Sequence, residues 1–253
     1  TLSSSSAASD VYKRQIYAAR NVDVVINFGR VDYLESLLQL RKPLLHCFQN
    51  PIAQYELKFL QARSHPQSRL YGVSKHQISI ADLPRERLPT SVIYNAVDTN
   101  YYNFSPSHQG YLAFLGRLTY NKGVDTAINI AKQTGIPLII AGNVSKEVGG
   151  EQFFTEVVEP AIDDQQIRYI GPVNDEQKKE LLGNALALLF PIRWDEPCAI
   201  VIPETLACGT PIIAARRAST PEVIQDGVTG FLCDDEQAMV EAVAKINQIN
   251  RAD

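Results

Sequence analysis

From residue 111 onward, short apolar runs alternate with longer stretches in which apolar residues recur every three or four positions. The runs are YLAFLG (111–116), PLIIAG (137–142), IRYIG (167–171), ALALLFP (185–191), PIIAA (211–215) and GFLCD (230–234). They do not follow an apolar-polar alternation, which is the pattern of strands buried on both faces. The segments 124–133, 153–162, 176–182 and 237–249 carry helical periodicity. This alternation predicts a parallel sheet with helices on both faces, and six such units predict a doubly wound, Rossmann-like domain over residues 111–253.

Residues 16–97 repeat the theme incompletely. VDVVINFG, PLLHCF, SRLYGVS and TSVIYNAV read as strands, with helices near 33–40 and 53–62. Three or four strands are fewer than a doubly wound sheet usually carries, so this half reads as a partial α/β domain. The polar stretch DTNYYNFSPSHQG (98–110) reads as a linker between the halves. Residues 1–15, TLSSSSAASDVYKRQ, contain five serines and no apolar period. They resemble adapter-derived translation and are set aside as a non-native leader.

Composition narrows the picture. At 253 residues the chain suits one large domain or two small ones. Its net charge of -4, without a Lys/Arg tract, argues against nucleic-acid or membrane-surface binding but not against a few cations gathered in one pocket. Cys47, Cys198, Cys208 and Cys233 are widely spaced and form no CxxC pair. They point away from a zinc site or disulfide framework and toward a reducing cytosol, hence a cytoplasmic location. No apolar run approaches the roughly 18–20 residues of a membrane span.

Several chemistries drop out. The segment after the strand 111–116 is GRLTYNKG, which lacks the dinucleotide fingerprint GxGxxG. No GxxxxGK[ST], GxSxG or HExxH occurs, so the commonest nucleotide-hydrolase, esterase and zinc-protease signals are missing. What remains is a cluster of charge at the predicted carboxyl edge of the sheet, where open α/β folds bind ligands. Gly116-Arg117 ends one strand and Lys122 follows before Gly123. Two cations on one short loop can neutralise a diphosphate, Arg with a planar fork and Lys with a mobile point charge. Exposed charge on a solvated loop is the plain alternative.

The stretch RWDEPCAIVIPETLACG (193–209) predicts a helix from near Cys198 to Gly209. Glu196 then lies in the loop before it and Glu204 on its second turn. The amides of Cys198, Ala199 and Ile200 would point out of the helix start, ready for an anion. Glu196 could merely complement the helix dipole, worth about 0.3–1 kcal/mol. Glu204 is flanked by Ile200, Val201, Ile202, Thr205, Leu206 and Ala207 and reads as buried. A buried carboxylate needs hydrogen-bond partners, and sugar hydroxyls would supply them. Further on, Gly209-Thr210-Pro211 is a helix stop before a strand, and Thr220-Pro221-Glu222 a helix start.

Read together, YNAVD, FLGRLTYNKGVD, LIIAG, YIGPVNDEQ, FPIRWDEPCAIVIPETLACGTPII and PEVIQDGVTGFL resemble the retaining glycosyltransferases of family 4, which have the two-domain GT-B fold. The order and spacing match from about Tyr94 to Asp234, and the Glu-x7-Glu pair, Glu196 and Glu204, is the most specific element. PLLHCFQNP and YGVSKHQ are similar to the second half of the family's acceptor domain. The resemblance implies an α/β, GT-B type chain with a near-complete C-terminal donor domain, 111–253, and a partial acceptor-side domain, 16–97. It implies that Arg117 and Lys122, on the loop opened by Gly116, hold the donor diphosphate and stabilise the leaving nucleotide. Glu196 would contact hydroxyls of the transferred sugar and Glu204 the ribose, with the amides of Cys198, Ala199 and Ile200 on sugar or phosphate. His46, placed at the end of a strand, would stand near the donor sugar; a satisfied half-buried histidine is the alternative. No metal or other cofactor is implied.

Cys198-Ala199 stands where the family commonly has Phe-Gly, Gln49 where a second His is frequent, and Ala218 where Gly is frequent. These departures bear on the sugar's identity rather than on the reaction. Family members begin with several further strands and end with further helices, so the chain reads as an internal fragment. An exposed sheet edge and apolar face in its N-terminal half would then favour self-association. The implied activity is retaining transfer of a hexose from a nucleotide-diphosphate sugar to an acceptor the sequence does not name. A nucleotide-sugar binding fragment without turnover and a GT-B sugar-nucleotide epimerase are the other readings.

Overall fold

The computed structural model describes residues 17, 19–63, 67–81 and 91–252. The serine-rich stretch 1–15 lies outside the described residues. The chain divides into two compact units, Thr1–Tyr94 and Asn95–Asp253.

In the first unit, β1 (Val25–Asn27), β2 (Leu44–Phe48), β3 (Arg69–Gly72) and β4 (Ser91–Val92) form one parallel sheet in that order. Helices α1 (Gln54–Arg63) and α2 (Lys75–Ser79) follow β2 and β3. The core gathers Leu34, Leu44, Phe48, Leu57 and Leu60. Gln77, buried on α2, donates to the carbonyls of Phe48 and Asn50 and accepts from the Val73 amide, which closes the carboxyl ends of β2 and β3. Among the described residues β1 pairs with β2 alone, and Val24, Ile26 and Phe28 are exposed along it.

The second unit carries all six predicted strands: β5 (Leu112–Leu115), β6 (Leu138–Ala141), β7 (Ile167–Tyr169), β8 (Ala187–Phe190), β9 (Ile212–Ala215) and β10 (Gly230–Cys233). They pair in parallel in the order β10-β9-β8-β5-β6-β7. The chain therefore builds outward from β5 through β6 and β7, then returns to lay down β8, β9 and β10 on the other side. That is the doubly wound strand order.

Because both faces are covered, successive residues of one strand enter two different cores. Leu112 and Phe114 of β5, with Leu189 of β8, pack under α3 (Val124–Thr134) and α6 (Glu236–Lys245) through Ala127, Ile128, Ala131, Met239 and Val243. Ala113, Leu188 and Phe190 pack on the opposite face with Leu181 and Leu182 of α4 (Asp175–Asn184) and Val201 and Ile202 of α5 (Val201–Ala207). This is why the runs read as continuously apolar rather than alternating.

Three local expectations change. The helical stretch predicted over 153–162 starts at Gly150, widens to π-type bonding over Phe154–Val158 and tightens to a 3-10 turn over Glu159–Ala161, with Pro160 in its last turn. The helix predicted from Cys198 begins only at Val201, which puts Glu204 in the first turn rather than the second. Pro203 accounts for this, because a proline lacks the N–H for a carbonyl four residues back and is tolerated only in a first turn. The predicted linker 98–110 is part of the second unit, with Tyr102 buried.

Candidate functional site

Strand progression reverses between β5 and β8, and the crevice beyond the carboxyl ends of strands at such a reversal is where open α/β sheets take ligands. Residues 116–123 leave β5 there and residues 191–200 leave β8. Gly123 lets the two loops touch. Its φ is 75°, in the left-handed region, and a Cβ built on it would lie 2.0 Å from the Pro191 carbonyl oxygen. Any side chain would drive the loops apart.

The contact brings Lys122 to Glu196. The ammonium bonds Oε2 of the carboxylate, and Trp194 Nε1 donates to the same oxygen at 2.9 Å. Lys122 Nζ also lies 5.2 Å from the Trp194 ring centre. The Glu196 carbonyl accepts from Ser219 Oγ at 3.1 Å, which ties the loop to the segment after β9. Oε1 of Glu196 has no hydrogen-bond partner among the described residues. The pair is largely shielded, with side-chain exposures of 17% and 12%.

Arg117 is placed differently. It extends from the end of β5 to Glu147 on the loop after β6, 2.7 Å away, and that pair is exposed at 52% and 73%. The loops flanking Glu147 line a cavity of about 200 Å³ with Thr119, Asn121, Ser145 and Gly150. The Gly116 amide donates to the Ala141 carbonyl and is therefore occupied within the sheet. Arg193 has a structural task. Its guanidinium forks onto both oxygens of Asp125 at 2.7 and 2.8 Å, donates to the Tyr120 carbonyl and stacks over the Tyr120 ring. The short turn carrying Lys122 is thereby fastened to the start of α3.

Glu204 is buried as its flanks predicted, yet protein groups satisfy it. Tyr102 Oη donates to Oε1 at 2.9 Å, and Lys178 Nζ, from α4, donates to the same atom at 2.6 Å. Tyr102 comes from the stretch expected to be a linker, which instead runs alongside α5. Asn95 Nδ2 donates to the Cys198 carbonyl, Tyr102 meets Glu204, and the Ser105 amide donates to the Cys208 carbonyl. The Tyr102 hydroxyl is pushed up to about 12, first by burial and then by its bond to Glu204. Lys178 is shifted upward because its bonds to Glu204 and Asp175 outweigh the burial that opposes its charge. Oε2 of Glu204 carries no bond among the described residues and is not a buried orphan.

The amides of Cys198, Ala199 and Ile200 make no hydrogen bond among the described residues, although they precede the helix instead of opening it. The Cys198 thiol is pushed up by burial and is a poor nucleophile. His46 belongs to the first unit, and its placement at a strand end is corrected. It is the middle residue of β2, because the strand continues through Cys47 and Phe48, which pair with Tyr71 and Gly72. The ring is buried, stands edge-on to Phe48 and meets Asn27 Nδ2 through Nδ1 at 2.9 Å. Burial lowers its pKa to about 4, so it is neutral at pH 7.

Tyr102, Trp194, Lys178 and Glu147 are the site-bordering residues that sequence reasoning did not select. The paired aromatic residues in NYYNF, and a lone Trp two positions before Glu196, were the available signals. Among the described residues, no group of three or more His, Cys, Asp or Glu could hold a metal ion, and no helix is long and apolar enough to cross a membrane.

Comparison with known proteins agrees with this architecture. The family model for glycosyl transferases group 1 matches residues 103–251. An uncharacterized 41.2 kDa protein in the cps region of Klebsiella pneumoniae is 32% identical over 127 residues, covering 50% of this chain and 33% of the relative. The D-inositol 3-phosphate glycosyltransferase of Mycolicibacterium smegmatis is 28% identical over 131 residues, covering 51% and 30%. The chain thus spans about a third of the length of these two relatives. Anabaena HepE, crystallised with UDP and glucose, superposes with a TM-score of 0.77 at 19% identity, covering 96% of this chain and 75% of that one. That likeness is one of fold, the GT-B fold. With the family model matched over more than half of its length, the chain belongs to the group 1 glycosyl transferases.

Proposed function

We propose that this chain supplies the donor site of an enzyme that transfers a hexose from a nucleotide-diphosphate sugar to an acceptor with retention of anomeric configuration. The observation that carries this reading is the Lys122–Glu196 pair where the loops after β5 and β8 meet, with Arg117 on the first loop and Glu204 in the helix after the second. Breaking the bond between the anomeric carbon and the phosphate oxygen leaves negative charge on the departing nucleoside diphosphate. The Arg117 fork and the Lys122 ammonium would stabilise that charge, and the reading calls on no metal. Glu196 would use its open Oε1 for sugar hydroxyls, and Glu204 its open Oε2 for the ribose. The amides of Cys198, Ala199 and Ile200 would complete the anion site. Anabaena HepE, crystallised with UDP-glucose, makes a uridine nucleotide the first donor to test. Four unpaired, buried cysteines suit a reducing compartment, the cytoplasm in this reading.

The test is thermal-shift titration with UDP, GDP, ADP and their hexose conjugates. Saturable stabilisation by one base is expected, with its loss in Glu204→Ala. Equal shifts in the wild type and in Glu204→Ala would overturn the assignment. For retention, the anomeric coupling constant of the transfer product should match that of the donor, and an inverted one would refute it.

A further inference from the structure

Resting on the donor site proposed above, we infer that Tyr102 and Lys178 are positioning residues that hold Glu204 so that only its Oε2 is offered to a vicinal pair of ribose hydroxyls. The geometry is asymmetric. Both donors fall on Oε1, at 2.9 and 2.6 Å, and two bonds fill the two lone-pair directions of that oxygen. Oε2 keeps both of its own lone pairs, and a carboxylate oxygen with two free acceptor sites matches two adjacent hydroxyl donors. The clamp comes from two directions, the segment before β5 and helix α4, so the side chain of Glu204 cannot swing toward either without losing the other. It is also rigid, since α4 begins with a capping box between Asn174 and Gln177, and Lys178 is braced by Asp175 at 3.2 Å.

The same arrangement pairs charge. The Lys178 ammonium, 2.6 Å from Oε1, lies against the Glu204 carboxylate, and both bonds the carboxylate receives from protein groups place it in the role of acceptor. An acceptor selects hydroxyl donors and rejects a ribose carrying a phosphate at that place. Glu196 is held in the same manner, with Lys122 and Trp194 both on Oε2 and Oε1 left open. In each glutamate a lysine and an aromatic donor take one oxygen and leave the other for a ligand.

Lys178→Met, Tyr102→Phe, Lys178→Arg and Glu204→Gln would be compared with the wild-type chain. Each is titrated calorimetrically with UDP, GDP and ADP and with the 2′-deoxy form of each. The wild type should bind one ribonucleotide about 10–100-fold more tightly than its deoxy form, the range of one or two hydrogen bonds to a charged group. In Lys178→Met that ratio should fall to about 1–3 while affinity for the deoxy form changes less than about 3-fold. Tyr102→Phe should show an intermediate loss, and Lys178→Arg should recover most of the ratio. A purely structural role would weaken both forms alike. A wild-type ratio retained in Lys178→Met and Tyr102→Phe overturns the positioning role and leaves the donor site standing. If Lys178→Met does not fold, Tyr102→Phe alone decides, because it deletes one hydroxyl and keeps the ring. No binding of any nucleotide by the wild type, or a ratio unchanged in Glu204→Gln, overturns the donor-site reading itself.

Discussion

Replacing Gly123 by alanine tests whether the touching of two loops, rather than either loop alone, builds the site. Two costs arise. An L-residue at φ 75° is strained by about 1–2 kcal/mol. The added Cβ would also lie 2.0 Å from the Pro191 oxygen and 2.9 Å from its carbon, so the backbone must move by about 1 Å, with an overpacking cost of about 1–3 kcal/mol. Against this stands about 0.4–1 kcal/mol from the stiffer unfolded chain. The net is roughly 3 kcal/mol, or about 6–12 °C for a unit of this size. Gly135 is the control. Its φ is 71° with nothing within 4 Å of a built Cβ, so Gly135→Ala keeps the strain and lacks the collision, and should cost about 1 kcal/mol or less. The assay is unfolding followed by Trp194 fluorescence, because the chain's single Trp lies in the second unit, beside Glu196. Melting of Gly123→Ala within about 2 °C of Gly135→Ala would refute the close-approach argument.

Two further outcomes can be checked directly. Burial lowers the His46 pKa from 6.5 to about 4, so the unfolded chain binds the proton more readily. The first unit therefore keeps its full stability above about pH 6.5 and loses it as pH falls toward 4, by up to about 2 kcal/mol between pH 7 and 5. Hydrogen exchange at residues 44–48, corrected for intrinsic rates, should show that loss, and equal protection at both values would refute it. Glu147→Gln should leave the melting temperature within about 1 °C, because the Arg117 pair it breaks is exposed. Freed of its counter-charge, Arg117 should bind a nucleoside diphosphate about 2–5-fold more tightly at low salt, an effect that fades as the Debye length shrinks toward ~3 Å at 1 M. An affinity insensitive to the substitution at low salt would show that Arg117 does not meet the diphosphate.

How far the sequence could be read follows from which interactions are local. Strands β5 to β10 were legible because burial on both faces leaves a continuous apolar signature that turn residues punctuate. Glu204 was legible as buried because its neighbours on α5 are apolar, but its partners were not. Lys178 sits in EQKKE, which reads as a solvated helix face, and Tyr102 sits in a stretch whose polarity reads as a linker. Each is drawn into the interior by a contact more than 20 residues away in sequence. His46 could have been placed correctly, since the apolar run PLLHCF already continues through Cys47 to Phe48, where β2 ends. The start of α5 could have been read: Pro203 forbids a helix beginning at Cys198.

A common physical reason underlies these misses. Charged residues that end up shielded carry the same local pattern as those that remain in water, and only the partner distinguishes them. Lys122, Lys178 and Arg193 are each identified by a carboxylate from another segment, Glu196, Glu204 and Asp125. Arg117, by contrast, holds the most exposed of these pairs and is the easiest to release. An incoming diphosphate would therefore take Arg117 from Glu147 at little cost. Approaching Lys122, it would meet a shielded pair in which Glu196 is also bonded to Trp194. The binding step should accordingly be read at Arg117, through its salt dependence, and the preorganisation of the site at Lys122 and Glu196.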